Sequence, residues 1–350
     1  MSNRIGVAIL GCGHWGVNYV RVFNELAESR VVAICDQRAD RLEEIGRRFP
    51  RVHLTTDIDD AIQRDGVGAV VVCTNATTHH SVTWKCLQAG KHVLVEKPLT
   101  TQSEHADDLI ELASANSLVL MVGHTFVYNG GIRKVKEYMS KGAGRVYYIY
   151  SCRTNLGPIR RDVNALWDLA PHDVAIFNYL LGDVPEWVSA VGVKVLRNCR
   201  EDVGFISLGY PNGVVGHIHV SWADPHKARE VVVVGSQRRI VFDDLNGVEQ
   251  VRVFEKGVHS VEQEPLNYGD YHFHIRDGDI LSPRIEVAEP LKNQCRHFLE
   301  CVTRKLQPLT GGREGQEIVR VLQAADRSLT LKGAPVEIER HADHRQQATA

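Results

Sequence analysis

Apolar and polar positions in the first third of the chain follow a repeated rhythm of short apolar runs and longer stretches with helical spacing. Residues 5–10 (IGVAIL) form an apolar run closed by glycines, after which Val17, Val20, Phe23, Leu26 and Ala27 recur on one helical face. A strand, a turn and a helix are therefore predicted. The unit repeats, with strands at 31–35, 69–73, 92–95 and 118–122 and helices at 39–49, 79–89 and 103–115. Strands that are apolar on both faces and alternate with helices of about ten or more residues imply a parallel sheet covered on both sides.

The rhythm changes after Gly123. Strand-like alternation or β-branched enrichment marks 146–153, 187–195, 203–210, 214–222, 230–235, 238–242 and 248–254. Tyr210-Pro211-Asn212-Gly213 and Gly235-Ser236-Gln237 supply tight-turn chemistry between neighbouring runs, which favours antiparallel hairpins. Helical periodicity returns at about 169–181, ending on Gly182, and again near 290–304 and 314–328. The predicted organisation is an α/β domain over 1–124 and an α+β domain over 125–340 with a large, mainly antiparallel open sheet. The last ten residues, 341–350, lack apolar periodicity and read as a frayed tail.

Length agrees with two domains, since 350 residues exceed the roughly 150 typical of one. Lys plus Arg number 41 against 43 Asp plus Glu, which supplies no basic field for nucleic acid or an anionic membrane. Eight cysteines, with no C-x-x-C pair, read as small buried hydrophobes of a reducing compartment. No apolar run approaches the roughly 18 residues of a membrane span, and MSNRI leads straight into the first strand. A cytoplasmic location is expected, with a small molecule as partner.

Chemistry concentrates first in the turn after the opening strand, Gly11-Cys12-Gly13-His14-Trp15-Gly16. In a G-x-G-x-x-G placed between strand and helix, Gly11 permits the tight turn, Gly13 lets a pyrophosphate approach the backbone, and Gly16 lets helix pack on strand. Asp36 ends the second strand some twenty residues on, where a carboxylate accepts from ribose hydroxyls and repels a 2′-phosphate. NAD is expected over NADP, although Arg38 two residues later is able to meet such a phosphate.

A second group of residues suits proton transfer. Lys97, in Glu96-Lys97-Pro98, follows a strand whose C-terminal end is where ligands sit in an open α/β sheet. Asp168 and His172 are four apart, so both fit one face of a helical start; the competing reading makes Asp168 a helix cap and His172 an ordinary histidine. Asn155, Arg160, Arg161 and Asn164, in the loop leading to that helix, offer amides for sugar hydroxyls and guanidinia for an anionic group, or else a solvated surface. No metal is required, and Tyr271-His272-Phe273-His274 reads as strand alternation and not as a ligand cluster.

Taken in order, Gly11 to Gly16, Thr74-Asn75-Ala76-Thr77-Thr78-His79, Gly90-Lys91-His92 leading to Glu96-Lys97-Pro98, and Asp168 with His172 resemble the glucose-fructose oxidoreductase and inositol dehydrogenase (Gfo/Idh/MocA) family along nearly the whole chain. The segment Pro308-Leu309-Thr310-Gly311-Gly312 is similar to the family's closing helix. The resemblance implies a Rossmann domain in front, Lys97, Asp168 and His172 as the catalytic set, and Thr74, Asn75, His79 and Glu96 lining the cofactor. Asn75 departs from the family, which often has proline there, and this leaves the loop shape open.

The implied reaction is NAD-dependent oxidation of a secondary alcohol of a sugar-like substrate, with His172 as base because an ordinary imidazole titrates near pH 6.5. Lys97 would steady the alkoxide and Asp168 would orient His172 or substrate. The loop at 153–164 looks like bacterial relatives that oxidise UDP-N-acetylglucosamine at C3. A nucleotide sugar is the first expectation and inositol or a free or phosphorylated hexose the second. A non-catalytic dinucleotide-binding regulator is the rival of another class. The family's habit of pairing sheet faces implies a homodimer or homotetramer.

Overall fold

The computed structural model describes residues 4–157, 159–160, 162–196, 199–260 and 273–339. The described residues form two compact units, one made of those up to Asn129 together with Ala288–Val319, the other of those within Gly130–Val287 together with 320–339.

The first unit opens with strand β1 (Ile5–Leu10), helix α1 (Gly16–Glu25), β2 (Ser29–Cys35), α2 (Ala39–Arg48), β3 (His53–Thr55), α3 (Ile58–Gln63) and β4 (Ala69–Val72). It continues through α4 (His79–Gln88), β5 (His92–Val95), α5 (Ser103–Ala115) and β6 (Leu120–Val122). The six strands lie in the order β3-β2-β1-β4-β5-β6 and every pairing is parallel. Val7 to Leu10 and Ala69 to Val72 are fully buried, which is why these runs are apolar without alternation. The order reverses between β1 and β4, so their C-terminal ends flank the crevice where an open sheet binds ligand.

The second unit begins with α6 (Gly130–Ser140), β7 (Val146–Leu156), α7 (Ala165–Leu181), β8 (Trp187–Val193), β9 (Val203–Gly209) and β10 (Val215–Ser221). Next come β11 (Ala223–Gly235), β12 (Arg239–Asp243), β13 (Val251–Phe254), β14 (Gly257–Ser260), β15 (Phe273–Arg276) and β16 (Ile280–Leu281). After α8 (Pro290–Arg304) and α9 (Gly312–Thr330), β17 (Val336–Glu337) completes the described chain. The nine-stranded sheet runs β16-β13-β12-β11-β7-β10-β9-β8-β17 and is antiparallel except where β10 pairs with β7. Strands β14 and β15 form a separate pair. The hairpin between β9 and β10 turns where the sequence placed it, with Asn212 at φ 65° and Gly213 at φ 76°. Helix α7 packs on β9 and β10 over glycines: a Cβ on Gly204 would fall 2.5 Å from Leu166, and one on Gly216 2.9 Å from the Phe177 ring.

Several details differ from the sequence reading. Helix α7 starts at Ala165, four residues before the predicted position, because Asn164 caps it and Pro171 is accommodated inside the helix. The short β3, α3 and β17 and the helix α6 were not predicted. A single boundary near 124 omits that Ala288–Val319 belongs to the first unit. There α8 packs on α1 through Phe23 and Phe298, whose ring centroids are 6.4 Å apart, and Thr310 exchanges two hydrogen bonds of 2.7 Å with the Val122 backbone. The tail at 341–350 and residues 271–272 lie outside the described residues, while Phe273 opens β15. No described helix is long and apolar enough to cross a membrane.

Candidate active site

The glycine turn has three distinct steric settings. Gly11 sits at φ +88°, and a Cβ on it would meet the Cys73 carbonyl oxygen at 2.6 Å. A Cβ on Gly16 would lie 1.9 Å from the Gly11 carbonyl oxygen, so only glycine lets α1 start so close to β1. At Gly13 nothing lies within 4 Å of that position, which leaves room for a pyrophosphate against the backbone. His14 and Trp15, both exposed, complete the turn, with Trp15 41% accessible.

Asp36 is bound into this turn. Its carboxylate accepts from the Cys12 N–H at 2.7 Å and the Arg38 N–H at 3.0 Å, and the exposed Arg38 guanidinium stands 3.5 Å away. Arg41, which sequence reasoning missed, donates from Nε to the Cys12 carbonyl at 2.9 Å. This geometry fits a dinucleotide, with the carboxylate fixed at the end of β2 and accepting capacity left for ribose hydroxyls.

At the far side of the crevice β5 delivers Glu96 and Lys97, each 8% exposed. Tyr19 donates to Glu96 Oε1 at 2.6 Å, Gln294 Nε2 donates to the Tyr19 oxygen at 2.7 Å, and the Lys97 N–H donates to Glu96 Oε2 at 3.2 Å. Burial, then the Glu96 charge, hold the Tyr19 hydroxyl well above its ordinary range, so it stays a donor. Glu96 thus anchors the strand end that carries Lys97. The peptide bond from Lys97 to Pro98 is cis. His79, buried, places Nδ1 2.7 Å from the Pro98 carbonyl and Nε2 3.1 Å from the Thr74 carbonyl, tying the two loops together. The Thr78 hydroxyl lies 2.9 Å from Thr74 Oγ1, and Asn75 is exposed beside it.

In the second unit α7 places Asp168 and His172 one turn apart, both half-buried. Asp168 is held from two sides: Trp222 Nε1 donates to Oδ2 and Arg160 Nη1 to Oδ1, each at 3.2 Å. Arg160 also donates from Nε to Asp162 at 2.9 Å and lowers that carboxyl's pKa. Arg160, expected to meet an anionic substrate group, is here engaged by two carboxylates. Asn164, expected to bind substrate, accepts from the Trp167 N–H at 3.0 Å as the cap of α7 and donates to Glu201 at 3.2 Å. The cap that the sequence allowed for Asp168 is therefore Asn164. Asn155 is half-buried at the end of β7, and Arg161 lies outside the described residues. Beneath α7, Arg153 grips Asp173 with two hydrogen bonds of 2.7 and 3.1 Å, the side chains 6% and 1% exposed. Tyr19, Gln294, Trp222 and the Arg153–Asp173 pair carried no sequence signal, since each partner lies 20 to 275 positions away.

A parallel sheet with a glycine cradle and a lysine at a strand end defines a dinucleotide-dependent oxidoreductase. Residues 5–124 match the oxidoreductase family with an NAD-binding Rossmann fold, residues 132–241 match the GFO/IDH/MocA C-terminal domain, and the chain belongs to this family. UDP-N-acetylglucosamine 3-dehydrogenase of Acidithiobacillus ferrooxidans is 28% identical over 284 residues, covering 79% of this chain and 85% of that protein. Myo-inositol 2-dehydrogenase of Thermotoga maritima is 26% identical over 266 residues, covering 73% and 79%. The crystal structure of GenD2 from gentamicin A biosynthesis, in complex with NAD, superposes with a TM-score of 0.82 at 25% identity, covering 96% of this chain and 97% of that one.

Proposed function

We propose that this protein oxidises a secondary alcohol of a nucleotide sugar to a ketone, with UDP-N-acetylglucosamine at C3 as the leading substrate. The observation that carries the catalytic reading is the placement on α7 of a carboxylate locked by two donors, one turn from a histidine. NAD, held at the glycine turn and Asp36, supplies the hydride acceptor when bound. His172 accepts the hydroxyl proton of the substrate on a ring nitrogen. Lys97 donates to the same oxygen and steadies negative charge as that proton leaves. Asp168, with both oxygens already engaged, keeps its orientation while charge moves beside it.

The relative named for UDP-N-acetylglucosamine supports this substrate. A second reading, an inositol or a free hexose, is favoured by Arg160, because a guanidinium whose charge is already paired with Asp162 and Asp168 is less drawn to a diphosphate. Thermal shifts with NADH against UDP-N-acetylglucosamine, inositols, hexoses and hexose phosphates, followed by turnover of each stabilising ligand, separate the two. The nucleotide sugar is expected to stabilise and turn over; inositol active with every nucleotide sugar inert reverses the order. A chain that binds NADH and turns over none of the panel counts against both substrate readings.

We also propose that the second unit's sheet pairs with another copy of the chain. Val191, Phe205 and His219 are register neighbours across β8, β9 and β10, Phe205 stacks on His219 at 4.5 Å, and Val191, Phe205, Val215 and Tyr148 are 37 to 48% exposed. An apolar face of this kind on an open sheet is the surface that a homodimer or homotetramer covers.

A further inference from the structure

A buried histidine in the first unit has no role in the reading above. His124 follows β6 and is 1% exposed, yet neither ring nitrogen has a hydrogen-bond partner among the described residues. Buried polar groups of this kind cost free energy unless something satisfies them, so each one asks for a partner.

Its position is specific. Strands β5 and β6 pair in parallel with Val95 opposite Val122, and the ladder continues as the Gly123 N–H donates to the Val95 carbonyl at 2.8 Å. Lys97 and His124 each stand two residues beyond that pair, at the same level of neighbouring strand ends. Gly123, the residue before His124, leaves room for the Tyr19–Glu96 pair, since a Cβ there would sit 3.1 Å from both Glu96 Oε1 and the Tyr19 oxygen. The backbone of His124 closes a tight turn onto the Val122 carbonyl at 2.8 Å, which fixes where the ring begins.

In the strand order, Asp36 on β2 and His124 after β6 lie on opposite sides of the β1/β4 crossover. A dinucleotide laid across that crevice with its adenosine at Asp36 brings its nicotinamide to the β4-β5-β6 side. The imidazole is neutral, because burial and then the Lys97 charge push its pKa down to about 3. A neutral imidazole offers one N–H donor and one nitrogen acceptor. The nicotinamide carboxamide offers the converse pair, an NH₂ donor and a carbonyl acceptor.

We infer that His124 is a cofactor-positioning residue whose ring hydrogen-bonds the carboxamide of bound NAD. The inference rests on NAD binding and is independent of which sugar is oxidised. Binding of NADH, of ADP-ribose and of 3-acetylpyridine adenine dinucleotide to the native protein, H124F and H124Q tests it by calorimetry. ADP-ribose lacks the nicotinamide, and the acetylpyridine analogue retains an acceptor but has no NH₂ donor.

H124F is expected to bind NADH about three- to tenfold more weakly, the usual yield of a lost neutral hydrogen bond, with ADP-ribose binding unchanged. H124Q should recover much of the loss, since an amide side chain both donates and accepts. The native preference for NAD over the acetylpyridine analogue should shrink in H124F. Unchanged NADH binding in a folded H124F overturns the inference, and if the KM of the sugar alone rises His124 belongs to the substrate. Equal weakening of NADH and ADP-ribose overturns it too, by showing a general disturbance of the fold. Failure to find a turned-over sugar leaves each of these binding outcomes readable and counts only against the proposed substrate.

Discussion

Lys97 and Asp36 carry the sharpest single-residue tests. Lys97→Ala should lower kcat by about 10² or more while NADH affinity is retained, because the role proposed for the amine is to act on charge that develops during reaction. A loss below about tenfold on an identified substrate would remove Lys97 from the chemistry. Asp36→Ala should relax discrimination against NADP, measured as the ratio of kcat/KM for the two cofactors; an unchanged ratio would place selectivity elsewhere. His124 makes a third prediction. Its folded pKa of about 3 lies below the ordinary 6.5, so between those values the unfolded chain binds a proton that the folded chain does not. The stability tied to its neutral form is present above about pH 6.5 and is lost as pH falls toward 3. The melting temperature of the native protein should therefore drop more steeply from pH 7 to pH 4 than that of H124F. Parallel curves would show that the ring is not held neutral.

Helix α7 carries Asp168 and His172, the two residues proposed for catalysis in the second unit. Its start is set by Asn164, and Asn164→Ala should cost about 1 kcal/mol, the usual value of a side-chain cap. Its inner face is tied down by the Arg153–Asp173 pair, both partners almost fully buried. Asp173→Ala strands the guanidinium without its partner, and a loss of about 3–5 kcal/mol in denaturant unfolding is expected. Because Asp173 adjoins His172, kcat should fall with it even where the variant remains folded. A normal kcat in Asp173→Ala would show that the helix holds His172 in place without this anchor. The position of α7 was legible from its apolar spacing, but the residue that starts it was not: Asp168 and Asn164 are both good caps, and only the backbone path chose between them.

At the scale of the whole molecule, the exposed row Val191, Phe205, Val215 and Tyr148 predicts association. Phe205→Asp should shift the mass measured by light scattering toward the monomer, since a carboxylate in an apolar pairing surface loses its hydration without gaining a partner. Retention of the native mass would place the subunit contact elsewhere. Domain membership is also a property of this scale. The helical spacing at 290–304 announced α8, yet nothing in those residues announced that they pack beside α1.

What the sequence alone determined were features written in neighbouring residues: the strand and helix rhythm of the front unit, the hairpin at Asn212-Gly213, the glycine turn and the order of the family motifs. Local sterics and solvent exposure act over a few positions, so their record is local too. The folded chain decided what depends on distant partners: that Asn164 caps α7, that Arg160 spends its donors on Asp162 and Asp168, that Gln294 and Tyr19 hold Glu96, and that His124 stands level with Lys97. Those pairings are set by which backbone segments the sheets bring side by side, and that information is spread over the whole chain.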